Sequence, residues 1–357
     1  MSTEIAFFTP TKAAWDGMFE ACSKARHSID FEQYILEPDS IGGKFLTLFA
    51  EKARKGVRVR LILDAIGSRN FFRSDWPQKL EEAGVSIAAY NRFAAKHLLL
   101  PKRLLPRNHA KTLLIDEQTG IMGSACLSDE MKSWHDLQVQ FHGQGTVDQA
   151  RKDFGRLWQA MEKRERYKIQ ENAHPHAELA YFVSQPRVAA NPIYRELLKE
   201  IRNAQQTIVM VTPYFLPPTL LLHELHRASR RGVKITVMMG ARTDVRIADL
   251  TAQSYLAKWR RLGIEVLLYT RCVLHSKYSV IDGKWATVGS TNLDHLSLIL
   301  NREANLIMRD EASVAMLLKN FADDCKDCIK GDASVFKSLP LKDRLLGYAG
   351  RLGKKVL

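Results

Sequence analysis

The chain repeats itself, and this constrains its fold more than any other feature. Residues Ser28 to Tyr34 (SIDFEQY) resemble Ile208 to Tyr214 (IVMVTPY), 180 positions further on. Arg54 to Val59 (RKGVRV) returns as Arg230 to Ile235 (RRGVKI), and Ala83 to Arg92 (AGVSIAAYNR) as Leu262 to Arg271 (LGIEVLLYTR). Each copy reads as a strand, a helix, an Arg-x-Gly-Val turn into a second strand, another helix and a further strand. Short β-rich runs such as Val59 to Leu63 alternate with helix-length segments such as Gly43 to Lys55. The fold class is therefore α/β, neither all-α nor all-β.

The length of 357 residues allows two such units, each of about 150 residues with its own core. The charge-rich segment Arg151 to Asn172 predicts a helix closing the first half, and the second begins near His174-Pro175. The expected organisation is a first domain over 1–172, a second over 173–335, and a basic amphipathic tail over 336–357.

The copies converge on one motif. His109, Lys111 and Asp116 are followed by Gly123-Ser124; His275, Lys277 and Asp282 are followed by Gly289-Ser290 at the same spacings. Asn292 extends the second copy. Thr112 to Ile115 and Tyr278 to Ile281 read as strands, and a two-residue spacing puts His and Lys on one face. Asp282-Gly283 is a hairpin signal that returns the chain to deliver Ser290.

These residue types suit phosphodiester chemistry. A neutral imidazole can attack phosphorus, forming a phosphohistidine that splits one displacement into two. A second histidine can protonate the departing alkoxide and then deprotonate the incoming alcohol or water. Two lysines, with Ser and Asn donors, can stabilise charge on the phosphoryl oxygens. Each histidine needs a partner to hold its tautomer: Glu303 is the candidate in the second half, and Asp136 stands at the matching place in the first. His97, His174 and His176 read as loop residues. No Cys/His set has metal-ligand spacing, so neither metal nor cofactor is expected.

The balance of 53 Lys and Arg against 39 Asp and Glu, a net +14, points to anionic partners: nucleic acid, anionic lipid or phosphorylated metabolites. No apolar run approaches the roughly 18 to 20 residues of a membrane-spanning helix. Met1 to Trp15 lacks a signal-peptide layout, and five cysteines are too few and odd in number for a disulfide framework, consistent with a reducing compartment.

The doubled motif resembles that of the phospholipase D superfamily over nearly the whole chain. Leu63 to Ser68, Phe71 to Pro77, Thr212 to Pro217 and Gly289 to Asp294 make it more narrowly similar to bacterial cardiolipin synthases. The resemblance implies two tandem α/β/α domains related by a pseudo-twofold axis, with one site at their junction and phosphatidyl transfer through a phosphohistidine. It makes His109 the nucleophile and His275 the acid/base; the residues themselves leave the two roles open. The alternatives are a phospholipase D that releases phosphatidic acid and, less favoured, a nucleic-acid phosphodiesterase. The chain departs from the superfamily pattern at Cys126, where Asn is usual; many cardiolipin synthases begin with one or two membrane-spanning helices, and none is expected here.

Attachment to lipid would then be peripheral, on the inner face of a bacterial cytoplasmic membrane, with phospholipid as substrate. The insertion from Arg92 to Arg107 (RFAAKHLLLPKRLLPR) carries five cations and no acid. Its Leu98, Leu99, Leu100, Lys102, Arg103, Leu104 and Leu105 are candidate membrane contacts. The C-terminal run places Leu341, Leu345, Ala349, Leu352 and Val356 near one helical face, but Gly347, Gly350 and Gly353 weaken it, so it is expected to order only on a membrane or partner.

Overall fold

The computed structural model describes residues 5–91, 106–165, 167–170, 172, 174–185 and 191–353. The recurring Arg-x-Gly-Val turn explains why both halves fold alike. Gly56 (φ 85°) and Gly232 (φ 92°) adopt the left-handed conformation that closes a helix, and the Val that follows enters a parallel strand.

Among the described residues, the first half contains seven strands: β1 (Ile5–Phe8), β2 (Ser28–Gln33), β3 (Arg58–Asp64), β4 (Ser86–Tyr90), β5 (Thr112–Ile115), β6 (Thr119–Gly123) and β7 (Gln138–His142). Its helices are α1 (Thr11–Lys24), α2 (Ser40–Arg54), α3 (Arg69–Arg73), α4 (Trp76–Glu82) and α5 (Gln144–Glu162). The second half contains β8 (Leu179–Val183), β9 (Thr207–Val211), β10 (Lys234–Gly240), β11 (Ile264–Tyr269), β12 (Tyr278–Ile281), β13 (Trp285–Gly289), β14 (Ala304–Met308) and β15 (Cys328–Lys330). Its helices are α6 (Pro192–Asn203), α7 (Thr219–Arg230), α8 (Arg246–Ser254), α9 (Leu256–Arg261), α10 (Glu311–Asp324), α11 (Ala333–Lys337) and α12 (Leu341–Gly350).

The first sheet runs β1-β7-β6-β5-β2-β3-β4, and the second β8-β14-β13-β12-β9-β10-β11-β15. Apart from the added edge strand β15, the two orders correspond one to one. In both, three parallel strands (β2-β3-β4; β9-β10-β11) join an antiparallel set through β5 or β12. The carboxyl ends of β2 and β9 therefore meet the starts of β5 and β12, where the His-Lys pairs lie.

Strand alternation sorts the side chains into layers. Ile29, Phe31, Leu61 and Leu113 pack outward under Trp15, Met18, Phe45 and Phe49 of α1 and α2. Leu114, Met122, Val139 and Phe141 face the other way, into one apolar core with Tyr278, Val288, Ala304 and Leu306 of the second sheet. The two halves are thus held against each other by a continuous core, which fixes their catalytic edges in mutual register. The second half's outer layer packs Leu197, Leu221, Leu225 and Trp259 on its sheet.

Two local expectations are corrected. The helix expected over 151–172 spans Gln144–Glu162: Arg164 takes a left-handed φ of 56°, and the chain turns so that Tyr167 reaches Asp153. The C-terminal run is a folded helix on the protein itself. Gly347 and Gly350, expected to weaken it, allow α12 to lie directly on α8: a Cβ on Gly350 would sit 1.9 Å from Thr251 Oγ1.

Candidate active site

Each histidine is placed by main-chain pairing with the opposite half. His109 N donates to Arg302 O (2.8 Å) and Arg302 N to Arg107 O (2.9 Å). Symmetrically, His275 N donates to His135 O (2.9 Å) and His135 N to Val273 O (2.8 Å). These parallel bridges bring the carboxylate next to each bridging residue, Glu303 or Asp136, against the other half's imidazole.

The pairing is crossed. His109 Nδ1 lies 3.0 Å from both carboxylate oxygens of Glu303, and His275 Nδ1 lies 2.7 Å from Asp136 Oδ1. The order of the sequence associates Glu303 with the second half; in the structure it serves the first half's histidine. Ser124 Oγ donates to Asp136 Oδ1 (2.6 Å) and Ser290 Oγ to Glu303 Oε2 (2.5 Å). Both hydroxyls are fully buried, so they orient carboxylates rather than reach a phosphoryl oxygen. With Nδ1 engaged in this way, Nε2 of each ring is the atom left to react.

Lys111 Nζ donates to His109 O (2.8 Å) and Lys277 Nζ to His275 O (2.5 Å), one turn of the same pattern in each half. Burial lowers the His109 pKa to about 4; Glu303 opposes the shift, and the Lys111 and Lys277 charges add to it. Burial and Lys277 likewise lower His275, against Asp136. Burial alone would raise Asp136, but His275, Lys277 and the Ser124 hydroxyl hold it well below the usual carboxylate range. Lys277 falls to about 7 through burial, which Asp136 partly offsets and Lys111 reinforces. Two cations share this buried pocket, and an anion between them would relieve both.

Asn292 Nδ2 lies 3.4 Å from the Tyr214 hydroxyl, and Asn292 Oδ1 is buried with no hydrogen-bond partner among the described residues. At the equivalent place in the first half, Cys126 is buried, and burial raises its thiol pKa, so it remains neutral. The Tyr34 ring packs edge-on against His109 (5.0 Å) and Trp134 against His275 (5.1 Å). Sequence reasoning gave none of these aromatics a role, although Tyr34 and Tyr214 close the first repeated segment.

The motif aspartates are not in the site. β5 runs away from Lys111, so Asp116 stands roughly 17 Å further along at about 3.3 Å per residue. There its carboxylate accepts from the main-chain N–H groups of Arg26, His27 and Ser28 (2.7–2.9 Å). Asp282 does the same for Gln205, Gln206 and Thr207, each at 2.8 Å. Both residues have a left-handed φ (50° and 52°), which Asp tolerates. The expected catalytic role of Asp116 and Asp282 is therefore corrected: they clamp the hairpin end to the start of β2 or β9.

For both, modest burial is outweighed by the backbone donors, and the pKa lies below its ordinary 3.8. A carboxylate lowered in the folded state adds stability above its unfolded pKa and loses it as pH falls through the folded one. Asp282→Ala is expected to cost about 1 kcal/mol at pH 7, the net worth of hydrogen bonds at exposed residues that water can then reach, with turnover per folded molecule unchanged. Urea titrations should show the gap to the unsubstituted protein narrowing below about pH 4. An equal gap at low pH, or a collapse of turnover, would refute the clamp.

A second buried network braces the site. Asp64 accepts from Arg107 Nη2 (2.6 Å) and Asn108 N (2.9 Å), fixing the residues before His109. Fully buried Arg302 pairs with Glu32 (2.7 Å) and Asp153, and its guanidinium lies 4.9 Å from the Tyr167 ring centroid. The candidate membrane contacts Leu98, Leu99, Leu100, Lys102, Arg103, Leu104 and Leu105 lie outside the described residues. No cluster of metal-ligating side chains occurs among the described residues.

Comparison with known proteins places the chain in a family. The family model described as "Cardiolipin synthase, PLD-like domain" matches residues 18–158 and 197–325. The chain is 32% identical to "Cardiolipin synthase B" of Salmonella typhimurium, over 87% of this chain and 79% of that one. It is 28% identical to "Cardiolipin synthase" of Geobacillus sp. (strain WCH70), over 99% and 72% respectively. Its fold is similar to that of phosphatidylserine synthase from Haemophilus influenzae Rd KW20, with a TM-score of 0.77 at 14% identity, covering 99% of this chain and 95% of that one. From two crossed His–carboxylate pairs on a duplicated α/β frame and from these matches, the chain belongs to the phospholipase D superfamily, in its cardiolipin synthase-like branch.

Proposed function

We propose that this enzyme, a cardiolipin synthase-like phosphatidyltransferase, moves a phosphatidyl group from one phosphatidylglycerol to another, releasing glycerol. The observation that carries this reading is the crossed pair of Nδ1-anchored imidazoles beside two buried lysines. Nε2 of His109 attacks phosphorus, and the phosphorus–oxygen bond to glycerol breaks. His275 in its imidazolium form gives its proton to the departing alkoxide.

The glycerol hydroxyl of a second phosphatidylglycerol then returns a proton to His275. Its oxygen attacks the phosphohistidine, and the phosphorus–nitrogen bond breaks. Lys111 and Lys277 stabilise the charge gathering on the phosphoryl oxygens, and an anion there draws Lys277 back to its charged form. Glu303 and Asp136, each steadied by a serine, hold the rings; Asn292 offers a further donor on the second half's side. In this reading residues 1–172 and 173–335 are two domains that make one site.

The partner is an anionic phospholipid surface, bound peripherally from the inner face of the cytoplasmic membrane. The net charge of +14 supports this, and among the described residues no helix is long and apolar enough to cross a membrane. Incubation with labelled phosphatidylglycerol vesicles, followed by mass spectrometry, tests the reaction. Cardiolipin and free glycerol are expected. Phosphatidic acid as the main product would make water the acceptor and overturn the synthase reading; cleavage of DNA or RNA without lipid turnover would overturn the lipid reading altogether.

A further inference from the structure

Helix α12 is held to the protein by one face only. Asp343, Gly347 and Gly350 are buried against α8. Arg246 pairs with Asp343 (2.7 Å), Arg351 Nε donates to Ser254 Oγ (2.8 Å), and the Arg351 guanidinium stacks over Tyr255 (4.5 Å) and Tyr348 (4.7 Å). Phe336 meets Tyr348 edge-on at 5.3 Å. Small residues and an ion pair therefore do the docking, and the leucines are left outside. Leu341, Leu345 and Leu352 are 67%, 60% and 94% exposed, with Leu346 and Tyr348 also outward. A folded helix normally buries its leucines and presents its charges; here the arrangement is inverted.

The position of this ridge is informative. Pairing of 343 with 246 and of 351 with 254 means that α12 runs parallel to α8. The start of α8 follows the loop after β10, at the same end of the parallel strands as the His-Lys pairs. Asp244 in that loop acts electrostatically on His275 and Lys277. Leu341 and Leu345 thus lie towards the mouth of the site and Leu352 away from it. The sequence around the ridge, from 336 to 357, carries six Lys or Arg and one acid.

We infer that the outward leucine ridge of α12 is a bilayer-docking surface that seats the enzyme on anionic phospholipid with the site mouth toward the headgroups. Leu341, Leu345 and Leu352 enter the acyl boundary while Lys342 meets phosphate. The glycine-packed contact with α8 fixes the angle at which the catalytic edge meets the surface. This rests on the phospholipid reading for its substrate, not for its binding.

Flotation with vesicles of phosphatidylglycerol and phosphatidylethanolamine tests it, using Leu341→Gln/Leu345→Gln/Leu352→Gln. Replacing three exposed leucines should weaken vesicle binding by at least about tenfold, since each buried leucine contributes a sizeable transfer term. The melting curve should be unchanged, as should turnover of detergent-dispersed phosphatidylglycerol, because none of the three supports the core. A Leu345→Trp protein should be quenched by vesicles of brominated phosphatidylglycerol and not by brominated phosphatidylcholine.

Unaltered vesicle binding by the triple variant, with no quenching at position 345, would overturn the inference. So would a change in oligomeric state by light scattering with vesicle binding intact, which would make the ridge a contact between copies. Failure of the unsubstituted protein to turn over dispersed lipid would count against the proposed reaction instead, and the flotation result would still decide the docking surface.

Discussion

Alanine at His109 or His275 is expected to lower phosphatidyl transfer by about four orders of magnitude, the loss typical when a covalent nucleophile or its acid/base partner is removed. Neither ring supports the core: each is anchored through Nδ1 to a carboxylate and through its main chain to the other half. Each ring also partners a fully buried carboxylate, so some stability is lost with it, and the loss of turnover is read per folded molecule. The two substitutions act on one reaction path, and the double variant should be scarcely slower than either single one.

The crossed geometry adds a sharper test. Glu303→Gln should impair the histidine of the first half, and Asp136→Asn that of the second. Under the proposed roles, Glu303→Gln slows formation of the acid-labile phosphohistidine on His109 in a rapid-quench experiment. Asp136→Asn shifts the pH profile of glycerol release. An active His109→Ala or His275→Ala enzyme would rule out the two-histidine mechanism, and identical kinetic phenotypes for the two carboxylate variants would rule out the crossing as functional.

Replacing Arg302 with methionine should cost about 3–5 kcal/mol, among the largest stability effects of any substitution in this protein. The guanidinium is fully buried between Glu32 and Asp153, from β2 and α5, so its removal strands two carboxylates without solvent. In a protein with two units of this size, that corresponds to a fall of roughly 10 °C in the melting midpoint. Arg302→Lys keeps one charge but loses the fork that spans both acids, and should recover only part of the loss. Arg302→Met combined with Glu32→Gln and Asp153→Asn should recover more, because the orphaned charges are gone. Differential scanning calorimetry of the three proteins decides the matter, and an unchanged midpoint for Arg302→Met would refute the network's role. In the first half the same bridge position is His135, paired with Asp324 at 2.9 Å and partly exposed, and its removal should cost much less.

Much of the site was legible because duplication filters coincidence. His109, Lys111, Ser124, Asp136 and their counterparts His275, Lys277, Ser290 and Glu303 stand out as a set repeated at nearly fixed spacing. The same filter misleads at Asp116 and Asp282. Their spacing is conserved between the copies because strand and hairpin lengths are, and the aspartate serves the far end of the hairpin rather than the reaction. Arg302, Asp64 and Glu32 do not stand out in the sequence, because a buried charge carries no local mark. Only the partner reached across the fold, 270 positions away for Glu32, shows that it is buried.

The amino-acid sequence by itself determined that two like α/β units are made and that each supplies one imidazole and one lysine. Strand period, Gly-Val turns and residue chemistry are local properties, readable within a few positions. Only the tertiary structure decided which carboxylate serves which histidine. The partners lie 194 and 139 positions apart, and it is the apolar core shared by the two sheets that brings them into hydrogen-bond reach. Likewise, glycines that weaken a free helix become the contact that seats α12 on α8, because close backbone approach is a property of two packed surfaces and not of one chain segment.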